Sequence, residues 1–232
     1  MSHVWIYGDS YSDPDYPFGE YAGCWLETLG KEYQLHNHSL AGTGPDYSIE
    51  QMMKNLSSVD KDDCLIFVVS WPARFNLKNF YRSDKNQVNS THIDHVTERI
   101  KTEFVDADTG VDFLRNIFKY QYPTNELLHI ETLKHISLIN SLSNRFKRIL
   151  IWPVEDTVYS GRLFDNVTLV EQGIGNISYN DHPHKSRLGT DPRRNHLSLP
   201  NHNTMYNQLK QWIDHGTAPD TTQFVSCFPD PA

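Results

Sequence analysis

Serine, histidine and aspartate, the residue types that together turn a hydroxyl into a nucleophile, stand near opposite ends of this 232-residue chain. Ser10 closes Gly8-Asp9-Ser10, directly after the apolar run from His3 to Tyr7. Asp191 and His196 lie in Asp191-Pro-Arg-Arg-Asn-His196-Leu-Ser, just ahead of the last helical stretch. A serine is a weak nucleophile at neutral pH until a base takes its proton. Histidine titrates in the right range to serve, and a carboxylate beside it fixes the imidazole tautomer and steadies its charged form. Gly-Asp-Ser alone is common and equally describes a plain turn. Asp9 reads as a residue of that turn, accepting backbone amides, with no catalytic role.

His196 falls in a loop where packing gives no reason for a histidine. Asp191 stands five residues before it, so a loop that bulges brings the carboxylate to the imidazole. The other reading has a backbone carbonyl orient His196 while Asp191 caps a turn before Pro192. A second polar cluster, Asn180-Asp181-His182-Pro183-His184 with His196 and His202 further on, holds metal-binding residue types, but its spacing defines no closed site. It reads more simply as a polar loop at the rim of a cleft. His36 and His38 border a strand whose residues alternate faces, which puts one of them inside and hydrogen-bonded without a catalytic role.

The elements that must hold these residues alternate along the chain. His3–Tyr7 is a strand that Gly8 ends, and Cys24–Gly30 has helical spacing with Gly30 as its stop. A second strand spans Tyr33–Ser39. The turn Ala41-Gly42-Thr43-Gly44-Pro45 then leads into a helix from about Asp46 to Leu56, and Asp60–Asp63 is an acidic turn. Cys64–Ser70 is the clearest strand, apolar nearly throughout, as where both faces of a sheet are covered. Residues 71–122 read as an irregular insertion in which Phe75–Arg82 is amphipathic and Val111–Tyr120 helical. Thr124–Phe146 is a long helix, with Leu127, Leu128, Ile130, Leu133, Ile136, Leu138, Ile139 and Leu142 on one apolar face. Arg148–Pro153 is a fourth strand and Phe164–Val170 a fifth. The final helix spans Leu199–Ile213, opened by Pro200, and the tail after Gly216 runs extended along the surface. Strand, helix and strand in alternation predict right-handed crossovers and a parallel sheet in a single α/β domain.

Composition narrows the partners. A net charge of −8 opposes binding to a phosphate backbone, so nucleic acid is not expected. No apolar stretch approaches the ~20 residues of a membrane span, and no basic-then-apolar leader opens the chain, so a cytoplasmic protein is expected. Cys24, Cys64 and Cys227 are odd in number and far apart, which predicts free thiols rather than a disulfide framework.

Taken in order, these segments resemble the GDSL or SGNH hydrolases, esterases and lipases on a flavodoxin-like three-layer α/β/α sandwich. Gly8-Asp9-Ser10 matches the first block of that family. Asn37-His-Ser39-Leu-Ala-Gly42 is similar to the second, and His196 with Leu197-Ser198 before a helix is similar to the fifth. The resemblance implies a sheet of about five mostly parallel strands, Ser10 as nucleophile and His196 as general base. It implies backbone N–H groups of Ser10 and Gly42 on the oxyanion, and no cofactor. The third block, Gly-x-Asn-Asp, is replaced here by Ser70-Trp71-Pro72-Ala73-Arg74, so the asparagine that helps hold the oxyanion is missing. Losing one such donor costs roughly 10²–10³ in turnover. Arg74, with several donors and a positive charge, is the expected substitute, and Asn76 a second candidate. The acid is displaced as well: the family keeps it three residues before the histidine, where Arg193 stands here.

The expected activity is hydrolysis of an ester through an acyl-enzyme on Ser10, His196 and Asp191. Tyr11, Tyr16, Phe18, Tyr47 and Trp71 stand where they would line the mouth for an acyl group or a sugar, which makes an acetylated carbohydrate the first substrate class to consider. Two alternatives stay open: an inactive relative that binds a glycan or a protein through the same cleft, and an acyltransferase on the same triad. Oligomeric state is not legible in the sequence.

Overall fold

The computed structural model describes residues 3–13, 24–41, 43–71, 75–76, 87–88, 125–178 and 197–225. In chain order these form β1 (His3–Tyr7), α1 (Trp25–Leu29), β2 (Gln34–Asn37), α2 (Pro45–Asn55), β3 (Cys64–Val69), β4 (Phe75–Asn76), β5 (Gln87–Val88), α3 (Asn125–Asn140), β6 (Arg148–Pro153), β7 (Val167–Leu169) and α4 (Leu199–His215). Five strands make one sheet in the order β2-β1-β3-β6-β7, with every pairing parallel. This is the flavodoxin-like order. The chain steps from β1 to β2 on one side and returns to β3 on the other, so the connections diverge at the carboxyl ends of β1 and β3. β4 and β5 pair antiparallel, apart from this sheet. That short pair replaces the start of the amphipathic stretch expected over Phe75–Arg82; Val111–Tyr120 lies outside the described residues.

The side chains sort by strand parity. Val4, Ile6, Cys64, Ile66, Val68, Leu150 and Trp152 face one core, where Leu26 and Leu29 of α1 and Met205, Leu209 and Trp212 of α4 pack on them. Trp5, Tyr7, Leu65, Phe67, Val69, Ile149 and Ile151 face the other, under Met52 of α2 and Ile136 and Ile139 of α3. β3 is buried along its whole length because it lies inside the sheet with both faces covered, which its unbroken apolar run anticipates. The result is the three-layer α/β/α sandwich. Cys24 and Cys64 are free, buried thiols, and Cys227 lies outside the described residues.

Several local expectations are corrected. α3 stops at Asn140, short of Phe146. The Asn140 amide turns aside to donate to the Arg162 carbonyl at 3.0 Å and to accept from Phe164 N–H at 3.1 Å, while the Ser141 hydroxyl donates to the Leu138 carbonyl at 2.6 Å. Side chains that compete for backbone partners end a helix readily, and a 3₁₀ turn over Ser143–Arg145 completes the approach to β6. Leu127, Ile130 and Leu138, assigned to the apolar face, are exposed at 38%, 39% and 41%. The tail is described as far as Val225: most of its residues are exposed, and it is fastened near its described end. Phe224 is buried edge-on against Trp152 at 6.0 Å, and the Asn201 amide brackets Val225, donating to its carbonyl at 3.0 Å and accepting its N–H at 2.7 Å.

His36 and His38 share one face, since they stand two residues apart on an extended chain. They interleave with β1: His36 stacks on Trp5 at 4.2 Å and on His3 at 5.1 Å, and His38 stacks on Tyr7 at 5.3 Å. Nδ1 of His3 lies 2.9 Å from Nε2 of His36, and Trp5 Nε1 donates to Asp63 at 2.8 Å. Burial first, then the neighbouring imidazole, lowers the pKa of His36 and of His38; Asp63 opposes this at His36 only. The unfolded chain therefore takes up these protons before the folded one does. Stability is greatest above the ordinary histidine pKa of about 6.5 and falls as pH drops through that value towards the lowered folded pKa. Urea unfolding at pH 8 and pH 5.5 should show a midpoint that drops with acidification, and a His36→Gln/His38→Gln double variant should show a smaller drop.

Candidate active site

The turn after β1 is set by contacts on every side. A Cβ placed on Gly8 would lie 2.4 Å from Ser12 Oγ and 2.8 Å from Val68 Cβ, so the chain passes β3 here only as glycine. The Gly8 carbonyl accepts from Leu40 N–H and from the Ser48 hydroxyl, both at 3.2 Å. The Asp9 carbonyl accepts from Ser12 N–H at 3.0 Å, closing a β-turn with Ser10 and Tyr11 at its centre, and Asp9 Oδ1 accepts from Tyr11 N–H at 3.2 Å. The turn role expected of Asp9 is thus what the fold uses. Asp9 is fully buried, and Ser10 keeps 7% of its surface exposed.

The loop from β2 to α2 is tied to this turn. Asn37 donates through Nδ2 to the Ser12 carbonyl at 2.7 Å and accepts from Ser39 N–H at 2.9 Å. Asp13 accepts from Ala41 N–H at 2.6 Å. The Leu40 carbonyl accepts from the Thr43 hydroxyl at 2.6 Å, and α2 then opens behind Gly44 with Pro45 in its first turn. Gly42, between these anchored neighbours, lies outside the described residues.

β3 delivers the third wall. Ser70 follows β3 directly, three residues past the Tyr7–Phe67 pair. The Ser70 hydroxyl is buried, 2.7 Å from Asp9 Oδ2 and 2.9 Å from the Thr43 carbonyl. Next to it, the Trp71 indole Nε1 is buried and has no hydrogen-bond partner among the described residues. An unmatched buried donor costs about 1–3 kcal/mol and calls for a functional account. Asn76 belongs to β4 by its backbone pairing with Gln87. Beyond β3, Val154 N–H donates to the Val69 carbonyl at 2.9 Å, extending the β6 edge to Val154, next to Glu155. The surrounding protein pushes the Glu155 carboxyl above the usual range, Asp156 adds to this, and His129 opposes it.

α4 has a direction that matters. Its last turn sits at the amino edge of the sheet, where Arg148, the first residue of β6, donates to the Ile213 carbonyl at 2.6 Å. At the same edge, Tyr33, just ahead of β2, donates to Asp214 at 2.8 Å, and Lys210 and Tyr206 both bond to Glu32. α4 has 17 residues, each rising about 1.5 Å, so its other end reaches the carboxyl edge. There Ser198 caps it, accepting from Asn201 N–H at 3.5 Å, and Ser198 and Leu197 are both buried. The first turn of α4 therefore lies on the same edge as Ser10.

Of the residues singled out in the sequence, Ser10 and Trp71 stand at the carboxyl ends of the adjacent strands β1 and β3. Gly42, Arg74, Asp191 and His196 lie outside the described residues, as do Tyr16, Phe18, His182 and His184. Tyr11 is corrected: it is a core residue, 7% exposed, whose carbonyl accepts from Trp25 Nε1 at 3.2 Å. Tyr47 is half-buried on α2. Among the described residues no cluster of His, Cys, Asp and Glu is placed to hold a metal ion, and no helix is long and apolar enough to cross a membrane. Sequence reasoning missed Ser70, Thr43 and Asp13. Ser70 carried one signal, a small polar residue ending the most apolar strand.

Because the Gly8 site has no room, Gly8→Ala should destabilise the fold by about 1–3 kcal/mol, the usual cost of overpacking. A lowered urea midpoint at unchanged slope is the measurement; a midpoint within error of the parent protein would contradict the packing described.

No family model matches the chain, and no curated protein matches it. Two chains of solved structures do. One is a psychrotrophic esterase, EstA from Pseudoalteromonas sp., in a structure inhibited by monoethylphosphonate, with 10% identity, 93% of this chain and 100% of that chain covered, and a TM-score of 0.41. A likeness of that degree assigns no chemistry: the fold stands on its strand order and the site on its contacts.

Proposed function

We propose that the protein is a serine hydrolase that cleaves ester bonds through an acyl-enzyme. One observation carries the reading. Ser10 lies in the turn that follows β1, an interior strand of a parallel sheet, at the point where the connections diverge, and the head of α4, two residues after His196, lies on that same edge.

In this reading Ser10 Oγ attacks the ester carbonyl as His196 takes its proton. The tetrahedral oxyanion collapses, and His196 returns the proton to the departing alkoxide. Water, deprotonated in turn by His196, then releases the acid and restores Ser10. Asp191 orients the imidazole. The backbone N–H groups of Ser10 and Gly42 hold the oxyanion, and Arg74 supplies the donor that the third block lacks, with Asn76 as the weaker substitute. Trp71 borders the substrate, and an acetylated carbohydrate is the first class of ester to test.

Incubation with p-nitrophenyl acetate and with a fluorophosphonate probe tests this directly. Ser10→Ala should abolish labelling and lower turnover by roughly 10³-fold or more, and His196→Ala should do nearly as much. Equal turnover in the parent and Ser10→Ala would end the reading. Pro72, in the place of the missing asparagine, favours a second one, a non-catalytic protein that binds a ligand in this cleft. An unlabelled Ser10 in the folded parent protein would select it.

A further inference from the structure

We propose that Ser70 is a positioning residue for the Ser10 site, acting through a buried junction with Asp9 and Thr43; this rests on Ser10 being the nucleophile. The three residues belong to the connections leaving β3, β1 and β2, the three neighbouring strands at the carboxyl edge. They are 1%, 0% and 2% exposed, so water does not compete for their bonds. The Ser70 hydroxyl lies 2.7 Å from Asp9 Oδ2 and 2.9 Å from the Thr43 carbonyl. Its single proton serves one acceptor at a time, and the carboxylate makes the shorter and stronger bond.

Every member of the junction adjoins a residue with a proposed role, since Asp9 precedes Ser10, Thr43 follows Gly42, and Ser70 precedes Trp71. The other bonds described above, from Asn37 to Ser12, from Ala41 to Asp13 and from Leu40 to Gly8, tie the β1 turn to the β2 loop only. Ser70 brings in the third connection. The proposed oxyanion donors must be held in register with Ser10, and a side chain that lies against both loops does that. Misplacement of a reacting group by about 1 Å costs up to about 10²-fold in rate.

The test compares Ser70→Ala, Ser70→Thr and Ser70→Val, the last two equal in shape and differing in the hydroxyl. With p-nitrophenyl acetate, Ser70→Ala and Ser70→Val should lower kcat about 10- to 100-fold with little change in KM, while Ser70→Thr restores most of it. Fluorophosphonate labelling should slow in parallel. Amide exchange at Tyr11, Leu40 and Ala41 should quicken in Ser70→Ala and Ser70→Val while the amides of β6 keep their protection. Equal kcat in Ser70→Thr and Ser70→Val, or unchanged exchange at those three amides, would overturn the proposal. Should the parent protein neither label nor turn over, the nucleophile reading fails by itself, and the exchange comparison alone judges the junction.

Discussion

A carboxylate with no exposed surface is tolerable only if hydrogen bonds replace the water it has lost, and Asp9 is such a group. It accepts from Tyr11 N–H on one oxygen and from the Ser70 hydroxyl on the other. The first bond shapes the turn that holds Ser10; the second reaches across to the next strand. A single buried side chain thus couples the local conformation of the turn to the pairing of β1 with β3. Both bonds offset part of the cost of burying the carboxylate, so turn and pairing support each other through it.

That coupling depends on the sheet beneath it. β1 is paired on both flanks, so its carboxyl end cannot shift without breaking bonds to β2 and β3. Gly8 has no room for a Cβ beside Val68 and Ser12, which keeps the turn close against β3. The loop after β2 is then drawn in by Asn37 and Asp13, polar residues whose partners here are backbone groups. Rigid strands set the level of the site, and side chain to backbone bonds set its detail.

What is legible in the sequence follows from how local each signal is. The β3 run and the glycine that stops β1 speak for themselves, because burial on both faces and a broken strand leave marks within a few residues. The parallel sheet follows from the alternation of strands with helices. Ser70 as a bridge is not legible, since it needs the register of β1 against β3, and that is a contact between residues 61 positions apart. α3 reads too long because apolar spacing continues past Asn140, whereas the Ser141 hydroxyl takes the Leu138 carbonyl that would carry the helix on and the Asn140 side chain is committed to Arg162 and Phe164. Splitting His36 and His38 between two faces fails on parity alone. Of the residues proposed for the chemistry, Ser10 stands out because a strand end and a turn frame it. The orientation of His196 by Asp191 depends on a loop whose residues carry no period from which a conformation can be read.

The pairing of Asn201 with Val225 joins two parts of the chain that lie far from β1 in sequence. Asn201 stands in the first turn of α4, three residues from its cap, and its amide takes both backbone groups of Val225, as a neighbouring strand would. Phe224 meanwhile closes over Trp152 at the end of β6. The stretch that follows α4 is therefore a buttress for the head of that helix. Residues 224 and 225 thus join the first turn of α4 to β6, so two elements that are distant in sequence share one brace.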